Sequence, residues 1–153
     1  MAAELVRRGG APRELVMLDR SPQMLARAPA ALGRRALGDA RALPFPDGRF
    51  DLVTVAFLVH LLPRDEGVAA LAEAGRVLAP GGRVVAVVHS SPRGGAGRAY
   101  RRAWSLAGPL AAGGGPIEDA APLLEAAGLR PLREIRAPGV YWSQSLSAAP
   151  AAG

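Results

Sequence analysis

Three short apolar runs, each closed by polar or turn-forming residues, constrain this chain more than any other feature. They are residues 14–18 (Glu-Leu-Val-Met-Leu, closed by Asp19), 50–57 (Phe-Asp-Leu-Val-Thr-Val-Ala-Phe) and 83–88 (Arg-Val-Val-Ala-Val-Val). Continuous apolar runs of this length fit buried parallel strands, which expect cover on both faces and neighbours on both edges.

Helical patterns separate the runs. Ser21 is placed to cap a helix over 22–28, with Pro22 at its first position. A second helix is expected over 65–78, where Val68, Leu71, Gly75 and Leu78 share one face, and Pro80-Gly81-Gly82 ends it. A third spans 117–127 and stops at Gly128, and a short one over 1–8 stops at Gly9-Gly10. Residues 35–37 read as a short strand, and 38–48 as a Pro- and Gly-rich loop. Residues 90–115 read as irregular, with a short helix near 100–106. Two final strands, 129–136 and 141–147, are joined by Ala137-Pro138-Gly139, a link too short for anything but an antiparallel pair. This order predicts one α/β domain over 1–153, a doubly wound, mostly parallel sheet ending in an antiparallel pair. Ligands in such sheets bind at the carboxyl ends of the strands.

Composition removes several classes of function. There is no cysteine, so disulfides and cysteine metal sites are excluded. The 19 glycines and 14 prolines punctuate the apolar runs and stay below the ~25–30% that marks disorder. The longest apolar run, 52–62, is interrupted by Thr54 and His60 and falls short of the ~20 residues a membrane helix needs. Arg7 and Arg8 follow the first apolar residues, the reverse of a signal peptide, so a cytoplasmic protein is expected. The net charge of +6 comes from 19 basic residues, all arginine. Arg, Ala, Gly and Pro together fit a GC-rich coding bias, which weakens the charge as a sign of nucleic acid.

Asp19, at the carboxyl end of the first run, suits a ribose diol, since a carboxylate accepts two hydroxyl hydrogen bonds. An acid closing a loop explains it equally well. Its surroundings decide more. The stretch Asp19-Arg-Ser-Pro-Gln-Met-Leu-Ala-Arg-Ala28, then Gly38-Asp39-Ala40, Leu43-Pro44-Phe45, Phe50-Asp51-Leu52-Val53 and Val77-Leu78-Ala79-Pro80-Gly81-Gly82 follow one another. In order and spacing they resemble class I S-adenosylmethionine-dependent methyltransferases with a Rossmann-like fold, nearest the small-molecule branch of quinone biosynthesis. The likeness covers residues 1–90 well and the rest loosely. It implies S-adenosylmethionine as cofactor and a small-molecule acceptor. It also implies that Asp19 holds the ribose, Arg20 and Met24 flank the adenine, Asp39 accepts the adenine amino group, the Ala40 amide meets a ring nitrogen and Ala56 lines the methionine end. Core packing for Met24 and a turn-forming role for Asp39 are the plain alternatives.

One departure stands out. The family places a strand and a Gly-x-Gly-x-Gly loop ahead of the helix that here starts at Ala2. The chain is therefore expected to lack the middle strand of its sheet and the cofactor's methionine-side cradle. Unpaired buried groups cost ~1–3 kcal/mol each against a total stability of ~5–15 kcal/mol, so one of three outcomes is expected: the protein starts upstream of Met1, the neighbouring strands close up, or another chain, such as a second copy, fills the slot. Gly94-Gly95-Ala96-Gly97 lies too late in the topology to replace the loop. Activity of the chain as numbered is expected to be impaired. A non-catalytic truncated domain and a fragment of a nicotinamide-dependent oxidoreductase are the competing readings. His60 and His89 both follow strand ends and are candidates for a base. Arg93, Arg98, Arg101 and Arg102 surround Tyr100 and Trp104, which suits a substrate lid, a nucleic-acid surface or a solvated loop. The absence of an Asn/Asp-Pro-Pro-aromatic motif after 50–57 argues against nucleic acid.

Overall fold

The computed structural model describes residues 13–29, 33–106, 115–137 and 143–151. The helix expected over 1–8 lies outside them. The chain divides into two compact units, Met1–Pro44 and Phe45–Gly153.

In the first unit, β1 (Val16–Asp19), α1 (Pro22–Arg27) and β2 (Arg34–Leu37) follow in order. The strands pair in parallel, with Asp19 opposite Leu37. Ser21 caps α1 as expected, its Oγ accepting the Met24 amide at 3.3 Å. Gly33 has φ 153°, and a Cβ there would lie 2.3 Å from the Leu15 carbonyl oxygen. Only glycine lets the chain enter β2 so close to β1.

The second unit holds β3 (Phe50–Ala56), a 3-10 turn (Val59–Leu61), α2 (Arg64–Arg76), β4 (Leu78–His89), α3 (Gly94–Leu106), α4 (Ala121–Ala126), β5 (Leu129–Ala137) and β6 (Ser143–Pro150). Its sheet runs β3-β4-β6-β5. The β3–β4 pair is parallel, and β6 is antiparallel to both β4 and β5. The final pair is thus antiparallel as its short link dictates, and β6 inserts beside β4. Alternation along β4 buries Val84, Ala86 and Val88, and along β6 it buries Gln144, Leu146 and Ala148. Leu71 of α2 and Leu123 and Leu124 of α4 complete this core. Each valine or leucine so buried contributes roughly 1.5–3 kcal/mol. Among the described residues, no helix is long and apolar enough to cross a membrane.

Several expectations are corrected. α2 ends at Arg76, and Leu78 already belongs to β4, where the Pro80-Gly81-Gly82 turn makes a register shift opposite residues 50–52. α3 begins at Gly94 rather than near residue 100. α4 starts at Ala121 because Ile117 is drawn into a parallel bridge with Ser90. Burial on both faces does not hold for β3, where Leu52 is 48% exposed. The described core helices pack on the one face that Val84, Ala86 and Val88 line. β1 and β3 stand in different sheets, each at the end of its strand order.

Candidate functional site

In the first unit the sheet joins blocks distant in sequence. The Gly38 amide donates to the Asp19 carbonyl at 3.1 Å. A Cβ at Gly38 would come within 3.0 Å of Leu18 Cδ1 and 3.2 Å of Pro44 Cδ, so glycine allows the Gly38-Asp39-Ala40 turn to leave β2 beside Asp19. Asp19 closes the following loop, its Oδ1 accepting the Ser21 amide at 2.9 Å. This is the loop-closing role, and it leaves the second carboxylate oxygen without a partner among the described residues. Arg20 is exposed. Met24 is 52% exposed and is therefore not a core residue.

Asp39 forms a local ion pair. Its Oδ1 accepts the Arg41 amide at 2.9 Å and its Oδ2 accepts Arg41 Nη2 at 2.6 Å, with Nε donating to both oxygens. The Arg41 side chain and amide, with a smaller pull from Arg20, hold the Asp39 carboxyl at about 2. The turn-forming role foreseen for Asp39 is thus present, and a bound adenine amino group would have to share the carboxylate with Arg41. The Ala40 amide enters no hydrogen bond among the described residues. Asp19, a turn amide and a half-exposed methionine fit a ribose and a flat purine in chemistry.

The second unit carries an aromatic cluster at the carboxyl ends of β3 and β4, which finish together with Ala56 opposite Val87. Phe57 turns out of β3 with φ 54°, its amide donating to the Val87 carbonyl at 2.7 Å. A left-handed conformation costs a bulky residue about 1–2 kcal/mol. The turn that follows presents His60. The His89 backbone N–H donates to His60 Nδ1 at 3.2 Å, and the two rings meet edge to face at 5.7 Å. His89 Nε2 lies 3.0 Å from Tyr100 Oη. Trp104, one turn along α3, sits with its ring 4.7 Å from that of His89. Burial, with a smaller push from His89, pulls the His60 imidazole down to about 4. Burial also lowers His89, which is 5% exposed. Burial thus favours the neutral form of both rings.

The sequence indicated the two histidines separately but not their contact, nor that Tyr100 would reach His89, since no local pattern encodes a meeting of two strand ends with a helix. Phe57 gave no sign at all. Gln144 was also missed: fully buried, its Oε1 accepts the Ala120 amide at 2.9 Å and its Nε2 donates to Asp119 Oδ1 at 2.8 Å. The arginines near Tyr100 are partly neutralised. Arg101 pairs with Glu118 at 2.9 Å and donates to Ser91 Oγ at 2.6 Å, and Arg93 pairs with Glu134 at 3.2 Å. Among the described residues no group of histidines and carboxylates could hold a metal ion.

An acid at the end of β1 beside a Gly-Asp-Ala turn, and a β3–β4 pair backed by antiparallel β6, define a Rossmann-like class I S-adenosylmethionine-dependent methyltransferase domain. The chain belongs to the methyltransferase domain family, whose model matches residues 1–86. A ubiquinone/menaquinone biosynthesis C-methyltransferase from Methylobacterium nodulans is 40% identical over 97 residues, covering 59% of this chain and 38% of the relative. A demethylmenaquinone methyltransferase from Thermus thermophilus is 46% identical over 95 residues, covering 58% and 42%. The chain therefore spans about two fifths of the length of these curated relatives. CalO1, a methyltransferase in calicheamicin biosynthesis solved in its SAH-bound form, superposes with a TM-score of 0.73 at 26% identity, over 98% of this chain and 45% of that one. S-adenosylmethionine is the cofactor of this family.

Proposed function

We propose that this chain forms the cofactor-binding core of an enzyme that transfers a methyl group from S-adenosylmethionine to a small-molecule acceptor. The observation that carries this reading is the junction of Asp19 with the Gly38-Asp39-Ala40 turn at the end of the β1–β2 pair. Asp19 would hold the ribose hydroxyls, with Met24 and Arg20 flanking the adenine. Asp39 would take the adenine amino group, the Ala40 amide a ring nitrogen, and Ala56 would line the methionine end. When bound, the cofactor supplies a methyl on a sulfonium, reactive enough that alignment of the acceptor within ~3–3.5 Å does most of the work. The protein's task is therefore to bind, orient and exclude water. The names of the curated relatives support a small-molecule acceptor, and among them quinone precursors are the leading class.

A finer part of the proposal is that the 153 residues alone bind the cofactor weakly. It is supported by the end positions of β1 and β3, strands whose apolar runs call for neighbours on both edges. Calorimetric titration of S-adenosylmethionine tests both parts, using the 153-residue chain and a longer version with a Gly-x-Gly-x-Gly strand and loop ahead of Met1. Binding by the longer version alone supports both. Micromolar binding by the 153-residue chain overturns the weak-binding part and leaves the function standing. Binding by neither refutes the function.

A further inference from the structure

Resting on the methyl-transfer reading, the site can be taken further through the protons of the His60–His89–Tyr100 chain. A backbone N–H can only donate, so His60 Nδ1, which receives the His89 amide, carries no proton. The one proton of the neutral ring then sits on Nε2. His60 is a fixed donor at Nε2: that nitrogen has no lone pair to offer, and protonating Nδ1 would set two donors against each other. This removes His60 as a base. At the next link, His89 Nε2 faces Tyr100 Oη at 3.0 Å. A phenol is a stronger acid than a neutral imidazole N–H, and an imidazole nitrogen is a stronger base than a phenol oxygen. The hydroxyl therefore donates and His89 Nε2 accepts. His89 is buried, whereas Tyr100 is only partly so, which makes the phenol the reachable end of the pair.

We propose that Tyr100 is the group that meets the methyl acceptor, with His89 behind it as proton store and His60 beside it as a fixed Nε2–H donor. When bound, the cofactor would supply a methyl group whose bond to sulfur yields its electron pair to sulfur as the acceptor takes the methyl, and the acceptor's proton would pass to Tyr100 Oη. Tyr100's own proton moves to His89 Nε2, from which water later removes it. The positive charge lost at sulfur reappears on the imidazole, so charge balances. Trp104 supplies the wall that fixes the His89 ring from α3.

The test reads protons directly, on the full chain without cofactor. Nitrogen NMR of histidine-labelled protein at pH 7 should show His60 protonated at Nε2 only and His89 unprotonated at Nε2. Tyr100→Phe should shift the His89 Nε2 resonance and leave His60 in place. Phenol, used as a small hydroxyl-bearing probe, should move His89 Nε2 in the parent and not in Tyr100→Phe. His60→Asn, whose amide oxygen can receive the His89 amide, should preserve the phenol response. A proton on His60 Nδ1 or on His89 Nε2 overturns the assignment, as does a phenol response that survives Tyr100→Phe or is absent from the parent. Calorimetry with S-adenosylmethionine on the version carrying the Gly-x-Gly-x-Gly strand and loop separates the two levels: no binding there, with the histidine resonances as expected, defeats the methyltransferase reading and leaves the proton assignment standing.

Discussion

Acid should loosen the second unit, and His60 should be the main cause. Unfolded, its imidazole takes a proton near the ordinary 6.5; folded, it holds out to about 4. Between those values the unfolded chain binds more protons than the native one, so stability is fully present above pH 6.5 and is lost as pH falls toward 4. At ~1.4 kcal/mol per pH unit the full gap would be worth about 3 kcal/mol. The ring is partly exposed and solvent screens it, so a loss of about 1–3 kcal/mol is expected. His89, lowered by burial, adds in the same direction. Asp119 and Glu134 do not confuse this window. Burial pushes both up, but their hydrogen bonds and arginine neighbours hold them below the usual carboxylate values. Their contributions fade only at lower pH. Urea unfolding followed by far-ultraviolet circular dichroism at pH 7, 6 and 5 measures the slope. The parent midpoint should fall steadily, and His60→Asn should remove much of that fall. A parent midpoint that is flat between pH 7 and 5, or an equal slope in His60→Asn, would refute the reasoning.

Leu124→Ala should cost about 2–5 kcal/mol in thermal or chemical unfolding, because the side chain is fully buried between α4 and the sheet. Gly97→Ala should destabilise the start of α3 severely, since the new Cβ would fall on the Pro92 carbonyl oxygen; helix content and Trp104 fluorescence report the loss. Arg41→Ala should raise the Asp39 carboxyl from about 2 toward 3.8, as read by NMR titration. In the longer version of the chain, Asp19→Ala should weaken cofactor affinity at least tenfold, since hydrogen bonds to a charged group contribute ~1.5–3 kcal/mol each. Unchanged affinity would leave Asp19 as a loop-closing residue alone.

Much of the fold was legible because each element answers to local chemistry. Ser21-Pro22 sets the start of α1, the short apolar runs become strands, and Ala137-Pro138-Gly139 forces the antiparallel return. Where the reading failed, tertiary partners outweighed local preference. Glycines at 94, 95 and 97 argue against a helix, yet α3 begins there, where a backbone without Cβ can pass the Pro92 carbonyl. Ile117 fits a helix and instead bridges to Ser90. The residues proposed for the cofactor side could be named from sequence since they sit in contiguous blocks, each beside a strand end. The acceptor side could not. His60, His89 and Tyr100 come from three elements, and only the common ending of β3 and β4 with α3 against them brings the rings within reach. Sequence alone thus determined the strands, the antiparallel return and the family, because these depend on short-range pattern. Tertiary structure decided which nitrogens carry protons and which side chains meet, because those depend on burial and on contacts between residues far apart in the chain.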